Sequence, residues 1–334
     1  MSVDRLVSIV REFAGTPVAV VGDFVADEFI YGDIARVSRE APVLVLNQIR
    51  TEVIPGGGAN SVANLSALGA HVHAIGVVGN DASGRSLLKA FDKMRVNRKG
   101  VRRLTDYATP TKARILAGGI HTRRQQIVRL DRGSSRDALS PRTRISVRSA
   151  LRDVIKTTRG VLVADYGYGA ASPDVLGPHL KRWSAAGTVV TVDSRTRIGA
   201  FHGITACTPN QEELEVACGI HNTDDETLLA AARRLRRKTS GRALLVTRGA
   251  RGMTLLTSRK TCEIPAYGTD EVADVTGAGD TVIAAFTLAT SVGAEFEDAA
   301  RLANYAAGIV VTRVGTATAT PDQLIAAIRE DHAQ

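Results

Sequence analysis

Asp274-Val-Thr-Gly-Ala-Gly-Asp280 runs directly into Thr281-Val-Ile-Ala-Ala-Phe-Thr-Leu-Ala289, so a loop of small residues opens onto an apolar, helix-forming stretch. Gly277, Ala278 and Gly279 let a ligand approach the backbone closely. The first N–H groups of a helix have no intrahelical acceptor, and an anion is their natural partner. Asp280 stands at the same point. An anion cradle beside a carboxylate suits phosphoryl transfer: the cradle neutralises charge on the moving group while the carboxylate deprotonates the attacking hydroxyl. For this segment alone, the plainer alternative is a glycine turn capped by Asp280.

A second loop of the same kind, Pro55-Gly-Gly-Gly-Ala-Asn60, opens onto Ser61-Val-Ala-Asn-Leu-Ser-Ala-Leu-Gly69. Its glycines are consecutive and do not match the G-x-G-x-x-G of dinucleotide-binding folds, and no G-x-x-x-x-G-K-[ST] loop occurs in the chain. A nucleotide site here has to be built another way.

Apolar, β-branched runs at 18–21, 73–78, 160–164, 188–192 and 243–247 alternate with helical stretches, which predicts an α/β protein with a largely parallel sheet. Ligands of such sheets sit beyond the carboxyl ends of the strands. Gly22-Asp23, Asp165-Tyr166, Asp193 and Thr247-Arg248-Gly249 fall there. Residues 29–53 and 111–130 break the pattern. Within them, Pro42-Val-Leu-Val-Leu-Asn-Gln48 and Gln125-Gln-Ile-Val-Arg-Leu-Asp131 read as strands of a small β-sheet inserted as a lid. With no repeat, low-complexity tract or long linker, residues 1–334 are expected to form one domain.

Of the 334 residues 44% are hydrophobic, enough for a large core. No run is long and apolar enough for a membrane span, and residues 1–14 lack a signal-peptide core, so a cytoplasmic protein with no membrane partner is expected. Cys207, Cys218 and Cys262 are scattered and suggest neither a disulfide framework nor a zinc site. The net charge of +9 is spread along the chain and aromatics are only 4%, which argues against nucleic acid as a partner. The densest basic run, Arg233-Arg-Leu-Arg-Arg-Lys238, reads as a solvated helix face.

The two glycine loops, Asp27 after the first strand and Asn210-Gln-Glu-Glu213 after a later one together resemble the ribokinase-like (PfkB) family of sugar kinases, over about residues 18–321. The resemblance implies a three-layer α/β/α sandwich with a mostly parallel central sheet and an inserted lid. Within the family, the sequence is most similar to kinase domains that phosphorylate D-glycero-D-manno-heptose 7-phosphate at O1. The segments that carry this are Val20-Val-Gly-Asp23, Tyr31-Gly-Asp33 with Arg36-Val-Ser-Arg-Glu-Ala-Pro-Val43, Gln125–Asp131, Ala164-Asp-Tyr-Gly167, Cys207-Thr-Pro-Asn210 and Asn304-Tyr-Ala-Ala-Gly308. Ribose, fructose, a hexose phosphate or a nucleoside are the substrates of other members.

By that resemblance Asp280 is the general base, and Gly277, Ala278 and Gly279 form the anion hole. Asp27, Gly56, Gly57 and Asn60 hold sugar hydroxyls, although Asp27 also suits a helix cap or an ion pair. Asn210 and Glu213 match an N-x-x-E element, with Glu213 acting through water on Mg²⁺, while the same residues also read as a helix start. Thr247, Gly249, Gly252 and Asn304 align with positions that contact ATP. A substrate phosphate needs cations, and Arg114, with Arg36, Arg39, Lys112 and Arg129, is available in the lid. Lid strands in this family often pair between subunits, so a homodimer through the lid is expected. Two departures stand out: Tyr168 occupies a position where the heptose enzymes usually carry lysine, and Gly118-Gly-Ile-His-Thr-Arg-Arg124 is an unusual lid loop. No His-x-Gly-His element of a nucleotidyltransferase occurs, so adenylylation is expected from a different protein. A non-catalytic scaffold would be expected to lose the base or the anion loop, and both are intact.

Overall fold

The structure, a computed structural model, describes residues 2–118, 124–134, 139–221, 224–268, 273–313 and 315–333. The chain opens with α1 (Val3–Arg11), β1 (Pro17–Val37), β2 (Leu44–Gly57), α2 (Gly58–Ala67), β3 (His71–Gly79), α3 (Ala82–Lys93) and β4 (Asn97–Leu104). It continues through β5 (Thr111–Gly118), β6 (Gln125–Arg132), α4 (Pro141–Val154), β7 (Gly160–Asp165), α5 (Pro173–Ala185), β8 (Val189–Ser194) and β9 (Ala206–Cys207). Last come α6 (Gln211–Cys218), α7 (Asp225–Lys238), β10 (Ala243–Thr247), β11 (Met253–Thr257), β12 (Thr261–Ile264), α8 (Ala278–Ser291), α9 (Phe296–Val311) and α10 (Pro321–Asp331).

Successive side chains of a strand point to opposite faces, so a strand that is apolar throughout needs cover on both. In β1, Val18 and Val20 enter one core while Ala19 and Val21 enter another. In β10, Ala243 and Leu245 are likewise divided from Leu244 and Val246. One core is closed by Leu6 of α1, Val62 of α2, Phe91 of α3, Phe286 of α8, Leu302 of α9 and Leu324 of α10. The other is closed by Leu151 of α4, Trp183 of α5, Leu214 of α6 and Leu235 of α7. The result is the expected three-layer α/β/α sandwich.

The sheet order is β12-β11-β10-β9-β8-β7-β1-β3-β4. It is parallel from β10 to β4, with β11 and β12 antiparallel at one edge. The five strands expected from apolar runs are all present. β4, reading Asn-Arg-Lys-Gly-Val-Arg-Arg-Leu, is an edge strand with Arg98, Lys99 and Arg103 exposed, which is why no apolar run announces it.

Past Phe24, β1 leaves the central sheet and becomes a strand of the lid. It pairs antiparallel with β2 from Phe24↔Gly57 to Val37↔Leu44 and parallel with β5 from Ala26↔Thr111 to Asp33↔Gly118. β6 closes the far edge against β5. The lid is therefore an extension of the core's own strand. It begins earlier than residue 29, because the same backbone ladder carries through. Ile34, Val37, Leu44, Ile49, Ile127, Val128 and Leu130 are exposed on it. Of the unusual loop read from the sequence, residues 119–123 lie outside the described residues.

Candidate active site

The two glycine loops, more than two hundred residues apart in sequence, open helices that lie side by side. Their N-termini are joined by buried hydrogen bonds. Asn60 Nδ2 donates to Asp280 Oδ2 at 2.9 Å, Ser61 Oγ reaches Oδ1 at 3.4 Å, and Thr281 Oγ1 donates to Asn64 Oδ1 at 2.9 Å. Gly277 precedes α8 with φ 81°, in the left-handed region, and a Cβ there would lie 2.5 Å from Asn60 Nδ2. Only glycine leaves space for the amide that holds Asp280. The Ala278 N–H turns to the Val275 carbonyl at 3.2 Å, and the first helical bond runs from Thr281 N–H to the Gly277 carbonyl at 3.1 Å. Gly279 and Asp280 lie in the turn between, where N–H groups lack helical acceptors, and a Cβ at Gly279 would meet nothing within 4 Å.

The second loop is shaped around Asp27. A Cβ on Gly56 would fall 2.3 Å from Asp27 Oδ2, and Gly57 has φ 52°. Asp27 is 4% exposed and its Oδ1 accepts from Arg114 Nη1 at 2.6 Å. The parallel register of β1 and β5 explains the pair: Asp27 faces Lys112, two residues before Arg114 on the same strand.

Asp27, Gly57, Arg114, Gly277, Gly279 and Asp280 line one polar cleft of ≈ 330 Å³, which Asn210, Glu213 and Thr247 also reach. Among the five lid cations, Lys112, Arg114 and Arg129 line it, while Arg36 and Arg39 are exposed outside it. Arg129 is occupied by Asp131, with bonds of 2.7 and 2.6 Å. Lys112 is 9% exposed and makes no hydrogen bond or ion pair among the described residues. Its Nζ lies 5.5 Å from the Tyr166 ring centroid, and burial, with Arg195 nearby, holds its ammonium below the ordinary lysine range.

A second, more apolar cleft of ≈ 530 Å³ adjoins the first and shares Thr247, Val275 and Gly279 with it. Gly249, Gly252, Met253, Tyr267, Ala278 and Asn304 are on its walls. Asn304 Nδ2 donates to the Pro265 carbonyl at 2.8 Å and so braces the loop that forms one wall. A Cβ at Gly252 would lie 2.1 Å from the Ile264 carbonyl, so this glycine allows β11 to pass β12.

Carboxylates crowd the junction. Burial pushes the Asp280 carboxyl above its ordinary range, and hydrogen bonds from Tyr166 and Asn60 pull it back. Burial raises Asp193 well above that range, aided by Glu213 and Asp280, and burial also raises Glu213. Asn210 caps α6 through Glu213 N–H at 2.8 Å, and Glu213 Oε2 accepts from Asn210 N–H at 3.0 Å. This capping box makes the helix-start reading correct while both residues still face the cleft. Thr208 Oγ1, on a residue 5% exposed in the cleft lining, has no hydrogen-bond partner among the described residues.

The sequence places Tyr166 and Asp193 at strand ends where ligands sit but assigns neither them nor Arg195 and Thr208 a role in the site. The available signal was position: all four follow or end strands β7, β8 and β9 at their carboxyl ends.

The family model described as pfkB family carbohydrate kinase matches residues 17–151 and 196–323. Bifunctional protein HldE of Geobacter sulfurreducens is 38% identical over 317 residues, covering 94% of this chain. HldE of Paramagnetospirillum magneticum is 37% identical over 328 residues, covering 98%. The chain spans 63% and 66% of the length of these two relatives. Among solved structures, Arabidopsis thaliana ribokinase complexed with ribose and ATP superposes with TM-score 0.73 at 21% identity, covering 95% of this chain and 99% of that one. Escherichia coli phosphofructokinase-2 in complex with substrates and products gives TM-score 0.76 at 17% identity, over 94% and 99%. At such identities the likeness concerns the fold.

Proposed function

The chain belongs to the pfkB family of carbohydrate kinases, and from that premise we propose that it transfers the γ-phosphoryl group of ATP to the anomeric hydroxyl of a phosphorylated sugar. D-glycero-D-manno-heptose 7-phosphate is the first candidate substrate, giving the 1,7-bisphosphate. The observation that carries this reading is the placement of Asp280 and the Gly279 amide where a polar, cation-walled cleft meets an apolar one.

The apolar cleft suits the adenine ring, with Gly249, Ala278 and Asn304 on its walls, and the triphosphate then runs over Thr247 towards the start of α8. The sugar lies in the polar cleft, its hydroxyls against Asp27 and the Gly57 backbone, while Asn60, 2% exposed and outside the cleft lining, holds Asp280. Asp280 accepts the proton of the attacking hydroxyl as its oxygen bonds to the γ-phosphorus; the bond from phosphorus to the β-γ bridging oxygen breaks, and ADP leaves. The amides of Gly279 and Asp280, with Arg195, stabilise charge on the moving group.

Mg²⁺ would be held by residues of the same polar cleft. Hard oxygen donors suit that ion, and Glu213 through water, with the orphaned Thr208 hydroxyl, offers them beside the phosphates. When bound it would neutralise phosphate charge.

Lys112 favours a phosphorylated sugar over ribose, fructose or a nucleoside. A buried ammonium whose neighbouring carboxylates, Asp27 and Asp131, are each bonded to an arginine is costly unless a ligand supplies a further partner. The apolar residues exposed on the lid support a homodimer through that sheet. Among the described residues no helix is long and apolar enough to cross a membrane.

The test is Mg²⁺- and sugar-dependent ADP release over heptose 7-phosphate, fructose 6-phosphate, fructose, ribose and adenosine, with Asp280→Asn as control. Turnover with heptose 7-phosphate alone, lost in the control, is the expected result. Turnover with an unphosphorylated sugar in preference would overturn the substrate reading.

A further inference from the structure

We infer that Tyr166 is the positioning residue of the reaction: its hydroxyl fixes the rotation of the Asp280 carboxylate so that one oxygen lone pair meets the sugar hydroxyl. This inference rests on Asp280 being the base.

A terminal carboxylate torsion is broad and selects no orientation by itself. At Asp280 the orientation is imposed from two sides. Asn60 Nδ2 holds Oδ2 at 2.9 Å from α2, and Tyr166 donates its hydroxyl to Oδ1 at 2.6 Å from the loop after β7. Without the phenol, Oδ1 would keep only the long contact from Ser61 at 3.4 Å. Burial and the adjacent Asp280 carboxylate keep the phenol protonated, and so a donor.

Tyr166 is itself held in place. Asp23, 2% exposed at the end of the core segment of β1, accepts N–H bonds from Tyr166 at 3.0 Å, Tyr168 at 2.8 Å and Ala170 at 2.8 Å. The same loop is tied from the other side by Asp165, which accepts from Gly167 N–H at 3.1 Å and Ser194 Oγ at 2.7 Å. Four backbone amides on two buried carboxylates make a rigid mount for one hydroxyl. Small misplacement of a catalytic group is costly, so such a mount has a kinetic consequence. The ring has a further contact: Arg195 lies over it at 5.0 Å and Lys112 at 5.5 Å from its centroid, so it also seats the two cations beside the reacting groups.

The experiment compares kcat and both KM values for the unaltered enzyme, Tyr166→Phe, Asp280→Asn and a protein carrying 3-fluorotyrosine at position 166. Loss of the hydroxyl alone keeps the ring and its cations. Tyr166→Phe is expected to lower kcat about 10- to 100-fold, with KM for ATP and sugar within about twofold, as for an interaction made on the way to the transition state. The fluorinated phenol remains a donor and is expected to keep kcat, which decides the matter if the phenylalanine variant does not fold. Unchanged kcat in Tyr166→Phe, or a rise in KM with kcat held, overturns the positioning role while leaving the base in place. A loss of kcat in the fluorotyrosine protein similar to that in Tyr166→Phe overturns it too. Retained activity in Asp280→Asn removes the base, and the positioning role with it.

Discussion

The floor and the wall of the cleft are built on opposite plans. The floor, where α2 and α8 begin, is buried and cross-tied: Asn60, Ser61, Asn64, Asp280 and Thr281 are all sequestered and bonded to one another. The wall is the lid sheet. Its β6 is exposed along its whole length, and the Arg129–Asp131 ion pair on it is wet, unlike the Arg114–Asp27 pair on the cleft side of the same sheet. β1 serves both, buried from Val18 to Ala26 and open by Arg36. The difference separates two tasks. Chemistry needs groups fixed before the substrate arrives, whereas recognition of a sugar, followed by exclusion of water, needs a wall that can move.

That division can be tested at its seam. Gly56 ends the wall and touches the floor, and its replacement by alanine puts a Cβ into Asp27. Gly56→Ala is expected to lower kcat/KM for the sugar by about 10²-fold with KM for ATP unchanged, measured by steady-state kinetics. An equal loss on the ATP side would mean that the two regions are not separable.

Lys112 probes the wall alone. Lys112→Gln is expected to raise KM for the phosphorylated sugar about tenfold or somewhat more, with kcat nearly unchanged, as loss of one charge-assisted contact should. A fall in kcat with KM constant would assign the lysine to the floor's chemistry instead.

The outer wall is sharpened by Ile49→Glu combined with Leu130→Glu, which charges two exposed apolar positions of the lid. Sedimentation is expected to change from dimer to monomer, while the thermal midpoint shifts by no more than about 3 °C, because the core is untouched. A monomer before substitution would leave the apolar face without that partner.

The smallest effect concerns the stability of the floor. Burial raises the Asp280 carboxyl above its unfolded value, so the folded state binds the proton more tightly. Such a group opposes folding as pH rises through the raised folded pKa, and costs nothing below the unfolded one. Asp280→Asn is therefore expected to raise the melting temperature by a few degrees at pH 8 and to lose that advantage as pH falls into the ordinary carboxylate range. Melting curves at several pH values check this, and a gain that grows on acidification would reverse the sign.

Much of this site was legible in one dimension because its chemistry depends on local backbone. Glycines before a helix expose amides wherever they occur, and Asp280 lies beside them in sequence. Asn210 and Glu213 could be read in the same way, as a helix start with its two partners three positions apart. Tyr166, Asp193, Arg195 and Thr208 carry no signal beyond their place: they belong to the ends of three strands, β7, β8 and β9, and no local pattern brings those ends together. The Arg114–Asp27 pair was equally hidden: it depends on the register of β1 against β5 across more than eighty residues.

The sequence by itself determined the alternation of strands and helices, the two amide-bearing loops, the place of Asp280 at the second of them and the family, because periodicity and short-range backbone geometry need no partner. Only the tertiary structure decided which lid cations face the cleft, that Lys112 makes no hydrogen bond or ion pair among the described residues, and that a phenol from β7's end meets the carboxylate of α8. Those facts depend on how distant segments pack, and no local preference encodes them.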